Sequence, residues 1–232
     1  MKTTQTLSLA FLLAMLTNPF HLMAAPTYIY VAPTIEQPVG SAYEKTMTAT
    51  IEKLYRAGSV EELQAAVNQF ETIARKETSE WLPLYYASLG YVWMATRAEQ
   101  KATKEGYLNQ GQALLEKATA LKGGESELVA LQGFLYMIQL STDPATLGPV
   151  LSGKATAILE QAHQMNPENP RATLLLSQMK IGTARYFGAS TDEGCQLTQQ
   201  SLAQFGKENP ANPLMPRWGG EMAKSVLEQC GK

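Results

Sequence analysis

Residues 70–74 (FETIA), 114–118 (LLEKA) and 158–162 (ILEQA) echo one another at a spacing of 44 residues. Each sets a bulky apolar side chain (Phe70, Leu114, Ile158) one helical turn before an alanine (Ala74, Ala118, Ala162). A period of that length marks stacked helical hairpins, because one hairpin cannot bury its apolar face without a neighbour. The echo therefore predicts an all-α chain whose task is to hold a shaped surface against a partner.

Helical punctuation surrounds the echo. Ser41-Ala-Tyr-Glu44 and Ser59-Val-Glu-Glu62 are capping boxes, in which serine and glutamate each satisfy an orphan N–H of a helix start. Tyr43, Met47, Ile51, Leu54 and Tyr55 follow the first at helical spacing, and Gly58 ends that helix. Leu63, Ala66, Phe70, Ile73 and Ala74 line one face of the second. Two helices joined so tightly fold back as an antiparallel hairpin. Further helices are predicted over 80–97, from a loop at 98–106 to Leu121, over 127–140 and, after a loop at 142–149, over 150–165. Asn169 caps a seventh with Pro170 at its first position. Ser190-Thr-Asp-Glu193 reads as a third capping box opening an eighth helix that ends near Gly206, and a short last helix covers 219–230. The only strand candidate is Tyr28-Ile29-Tyr30-Val31.

The residues inside each hairpin resemble the tetratricopeptide repeat. Leu89-Gly90 with Trp93 fits the crossing point of that family's first helix, Gly133 with Tyr136 fits with Gln132 in place of leucine, and Leu176-Ser177 is a weaker third. Ala155, Leu159, Ala162 and Pro167 match the second helix, as do Gly111, Leu115, Ala118 and Gly123 with glycine in place of proline. Small residues let two helix backbones approach while bulky ones fill the groove between them. The spacing is longer than the family's ~34 residues, and the excess is assigned to longer helices and to the loops at 98–106 and 142–149. Together with Trp81-Leu-Pro83, Asn166-Pro-Glu-Asn-Pro-Arg171 and Trp218-Gly219, the layout resembles exported bacterial tetratricopeptide-repeat proteins of unassigned function. The resemblance implies a right-handed solenoid of about four hairpins over 41–206, with 207–232 forming a proline-rich segment and a capping helix. It also implies an inner face built from Tyr91, Met94, Phe134, Met137, Ile138, Gln178 and Ile181. Aromatic and apolar groups stand there in place of the Lys, Arg or Asn that would clamp a peptide carboxylate. Such a face either receives an apolar segment or packs on its own chain.

The amino terminus reads as a targeting segment. Lys2, the apolar run 7–16 (LSLAFLLAML), a break at Thr17-Asn18-Pro19 and the small residues Ala24 and Ala25 have the layout of a secretory signal peptide over 1–24. An extended arm with three prolines is expected over 25–40. The run is too short to span a bilayer, and no cysteine follows it for lipidation, so a periplasmic or secreted location is expected. The chain carries 19 Lys and Arg against 21 Asp and Glu, with no basic block. That balance argues against nucleic acid and anionic membranes as partners. Its two cysteines, Cys195 and Cys230, permit a disulfide in an oxidising compartment or stand as two buried thiols.

Catalytic constellations are sparse. Gly148-Pro-Val-Leu-Ser-Gly153-Lys154 has the spacing of a phosphate-binding loop, but Ala155 stands where that loop needs Ser or Thr to hold magnesium. His163 is the one histidine after the leader, too few for a histidine-rich metal site or a conventional triad. Glu61/Glu62 and Glu125/Glu127 fall in first helical turns, where they complement the dipole. Met94, Met137, Met165 and Met179 occupy apolar positions. The expectation is a non-enzymatic scaffold, with no metal or cofactor, that binds an envelope protein or peptide. The alternative is an all-α small-ligand carrier or enzyme whose pocket the C-terminal segment closes.

Overall fold

Every helix start that can be traced to a side chain uses a short polar residue to take an orphan amide. In the computed structural model, which describes residues 41–230, Ser41 caps α1 (Ala42–Arg56) by accepting from the Glu44 N–H. Ser59 and Glu62 form a reciprocal capping box at α2 (Val60–Lys76). Asn169 accepts from Arg171 and Ala172 at the start of α7 (Pro170–Phe187). The leader over 1–24 and the arm over 25–40, with its strand candidate, lie outside the described residues. Among the described residues all regular structure is helical. The remaining elements are α3 (Leu82–Arg97), α4 (Lys101–Leu121), α5 (Ser126–Thr142), α6 (Pro144–Met165), α8 (Asp192–Lys207) and α9 (Gly220–Leu227). Consecutive helices pack as four tetratricopeptide-like hairpins, α1/α2, α3/α4, α5/α6 and α7/α8, followed by α9 against α8.

Three helix starts differ from the sequence expectation. Helix α4 begins at Lys101, so the loop expected over 98–106 shrinks to Ala98–Gln100. Lys101, Ala102, Lys104 and Glu105 are good helix formers, and that propensity outweighs their loop-like polarity. Helix α6 begins at Pro144, not near Val150, because Asp143 caps it by accepting from Thr146 N–H. Pro144 sits where its missing N–H costs nothing, and Pro149 is carried inside the helix. The long repeat period therefore comes from long helices, 21 residues in α4 and 22 in α6. At α8 the cap is Thr191 without a side-chain bond, while Ser190 accepts from the Asp192 N–H, so the third capping box does not form.

The crossing residues are where the repeat resemblance places them. A Cβ on Gly90 would overlap Val67, one on Gly133 would overlap Leu159, and one on Gly194 would overlap Ile181. Gly111 lies close enough for a Cβ to come 3.4 Å from the Ser88 carbonyl oxygen, and the Ser88 hydroxyl donates to the Gly111 carbonyl at 2.8 Å. Ala118, Ala155 and Ala162 are fully buried. Around them Phe70 stacks on Tyr86 at 5.2 Å, and Tyr86 meets Tyr85 edge-on at 5.3 Å. Burying each such ring stabilises the fold by about 2–3 kcal/mol.

Candidate ligand-binding surfaces

The tail after α8 does not fold as helix, because Pro210, Pro213 and Pro216 each lack an N–H and fix the backbone. The Asn212 carbonyl accepts from Met215 N–H, and its side chain accepts from Leu214 N–H, so a turn launches the tail. The chain then crosses the first helices of the four hairpins as a strap. Tyr86 of α3 donates its hydroxyl to the Leu214 carbonyl at 2.8 Å. The Arg217 N–H donates to the Tyr55 hydroxyl of α1 at 3.1 Å. Trp218 donates its indole N–H to the Tyr85 hydroxyl at 2.8 Å and stacks on Phe134 of α5 at 5.6 Å and 19°. Arg171 of α7 donates to the Trp218 carbonyl. Gly219 follows at φ 111°, where a Cβ would come 2.7 Å from Phe205. A side chain there would be strained and would clash, which suits only glycine. Helix α9 then rests on α8, and the structure pairs Cys195 with Cys230 at a Cα–Cα distance of 5.8 Å.

Beneath the strap lies a buried charge cluster. Arg171, 3 % exposed, donates through Nε to both oxygens of Glu127 at 2.9 Å and through its other nitrogens to Glu208. One cation faces two carboxylates. Burial pushes the Glu127 carboxyl above the ordinary carboxylate range against the pull of Arg171. Burial alone would lower Arg171, but Glu127 and Glu208 hold it above its usual value and keep it charged. Burial, helped by Glu127, pushes the Tyr85 phenol up. Next to this cluster a cleft of about 280 Å³ is rimmed by Glu125, Asn166, Lys207, Pro210 and Met215. It falls below the ~300–1,000 Å³ of small-molecule sites, and its walls are charged where such sites are mostly apolar.

The inner-face residues expected from the repeat resemblance do not form one open surface. Met94 is fully buried among the helices, and Ile181 packs where α8 crosses at Gly194. Tyr91 turns toward Gly111 and donates to Glu71 at 3.2 Å. Phe134 lies under Trp218. Only Met137, Ile138 and Gln178 remain half-buried. The family offset points Tyr91 and Met94 at a groove, but both are used in packing between helices. Besides Phe134, the side chains that face the strap are Tyr55, Tyr85, Tyr86 and Arg171, which sequence reasoning does not single out as a set. For the three tyrosines the visible signal is the polar tip of the ring, which a buried Tyr must satisfy.

A second surface stays open. The last turn of α7 carries Tyr186 and Phe187, 84 % and 75 % exposed, with their rings edge-to-face at 5.0 Å. The turn stops there because Gly188 adopts the left-handed conformation at φ 65°, and its N–H and that of Ala189 close on Ala184 and Arg185 carbonyls. In α6, which packs against α7, Val150 is also exposed, at 69 %. Gly153 and Gly182 are both exposed, and a Cβ on either would meet no neighbouring atom within 4 Å. Among the described residues no group of three or more His, Cys, Asp or Glu could hold a metal, and no helix is long and apolar enough to cross a membrane.

No known family model matches the chain, and no curated protein matches it. Among solved structures, the HusA haemophore from Porphyromonas gingivalis is similar at TM-score 0.74 and 24 % identity, over 83 % of this chain and 94 % of that one. A thermophilic tetratricopeptide-repeat protein from Thermus thermophilus is similar at TM-score 0.45 and 21 % identity, over 71 % of this chain and 80 % of that one.

Proposed function

We propose that this chain is an exported, non-catalytic binding scaffold that receives an apolar segment of an envelope protein or peptide at the end of α7. One observation carries the reading. Tyr186 and Phe187 expose two adjacent aromatic rings in the final turn of a helix whose first two turns are wholly buried. Exposing two large rings side by side loses their burial energy, and such patches mark interaction surfaces. The export reading is supported by the leader-like residues 1–24 and by the Cys195–Cys230 pairing, since disulfides persist in oxidising compartments.

The test is recovery of partners from envelope extract by the wild-type chain and by Tyr186→Ala/Phe187→Ala. Recovery of the bound species should fall at least tenfold while the melting temperature stays unchanged. Equal recovery by the folded variant would remove the surface from consideration. The fold likeness to a haemophore makes haem the first small ligand to try on the same two proteins. A Soret change that depends on Tyr186 and Phe187, without any recovered protein, would reassign the surface to small-ligand carriage.

A further inference from the structure

The strap adds main-chain bonds to side chains of other helices to the core burial of Leu214 and Trp218. Residues 214–219 carry no secondary-structure ladder, and three of their backbone groups, the Leu214 and Trp218 carbonyls and the Arg217 N–H, are taken by side chains of the first helices. Tyr86 and Arg171 donate to the Leu214 and Trp218 carbonyls, Tyr55 accepts from Arg217 N–H, and Trp218 fills the space between Tyr85 and Phe134. Aromatic grooves that take proline-bearing segments work in this way, with main-chain bonds for placement and one large anchor for affinity. Pro213, Pro216 and Trp218 supply both features. The segment is joined to α8 by the exposed or half-exposed residues 207–213, and its far end is tethered by the disulfide.

We infer that the first helices form a recognition groove for an extended peptide carrying proline and tryptophan, and that residues 214–219 fill it in cis as a displaceable stand-in. The occupant to which this commits is a partner segment with the strap's own chemistry, Pro-Arg-Trp-Gly, because the seated strap already shows what the groove accepts. A tethered strap competes at an effective concentration in the millimolar range, so a free peptide enters only when the strap is weakened. This groove is separate from the Tyr186–Phe187 surface, and the two readings stand or fall independently.

The experiment uses the full chain and a fluorescein-labelled peptide of residues 208–220 (ENPANPLMPRWGG), read by anisotropy. Trp218→Ala vacates the anchor space, so the peptide should bind that variant at least tenfold more tightly than the wild type. The same peptide with alanine in place of tryptophan should not bind it. Should Trp218→Ala fail to fold, Cys195→Ser/Cys230→Ser unties the strap and is held to the same tenfold criterion. The peptide should bind equally well when Tyr186→Ala/Phe187→Ala is added, which separates this outcome from the fate of the proposed function. No gain in binding by the folded weakened chain, or equal binding of the alanine peptide, would overturn the inference.

Discussion

Tyr85 and Tyr86 are buried completely, and each phenol is held in a bond that fixes the strap. Burial pushes both well above the ordinary tyrosine range. The unfolded chain releases these protons near pH ~10, whereas the folded chain keeps them. Above that pH the native state binds more protons, so stability is full below it and falls as pH rises further. Melting temperature should therefore drop steeply above pH ~10, and Tyr85→Phe/Tyr86→Phe should flatten the drop while lowering stability at neutral pH. A wild-type profile as flat as the variant's would contradict the assignment. Arg171 belongs to the same scale. Its two carboxylate partners leave the cluster one charge negative, so Glu208 adds to the burial that drives Glu127 upward.

Helices meet where glycine or alanine permits, and the repeat pattern discloses this much. Ala162 stands out by spacing, Gly90, Gly111 and Gly133 by the resemblance to the tetratricopeptide repeat, and each sits at a crossing. Helix ends are less legible. The starts of α4 and α6 look like loops because Gly106, Gly148 and Pro149 punctuate them, yet Asp143 and a run of good formers carry the helix through. Local punctuation ranks weak signals, and a cap bond decides between them. The contrast between two glycines tests the packing account. Gly133→Ala forces a Cβ into Leu159 and should cost about 1–3 kcal/mol. Gly106→Ala meets nothing within 4 Å in the interior of α4 and should stabilise by about 0.5–1 kcal/mol through helix propensity. Chemical denaturation of both variants reads the sign, and a stabilised Gly133→Ala would contradict the crossing.

At the scale of the molecule, four hairpins are closed by a strap that lies far along the chain from the helices it covers. Tyr55 meets Arg217, Tyr86 meets Leu214 and Tyr85 meets Trp218 across separations of 162, 128 and 133 residues. Periodicity reports which face of a helix is apolar and says nothing about what covers that face, so the choice between groove and self-packing is open in the sequence. The Cys195–Cys230 link closes a loop around the strap, and on the chain-entropy account such a closure stabilises by about 4 kcal/mol. The central claim is that this strap owns the inner face, leaving the end of α7 as the free surface. Acrylamide quenching of the single-tryptophan protein, Trp81→Phe/Trp93→Phe, observes Trp218 directly. With Trp218 6 % exposed and stacked on Phe134, the account expects quenching at least fivefold weaker than for free tryptophan. Quenching equal to that of free tryptophan in the folded, oxidised protein would show the strap off the inner face and contradict it.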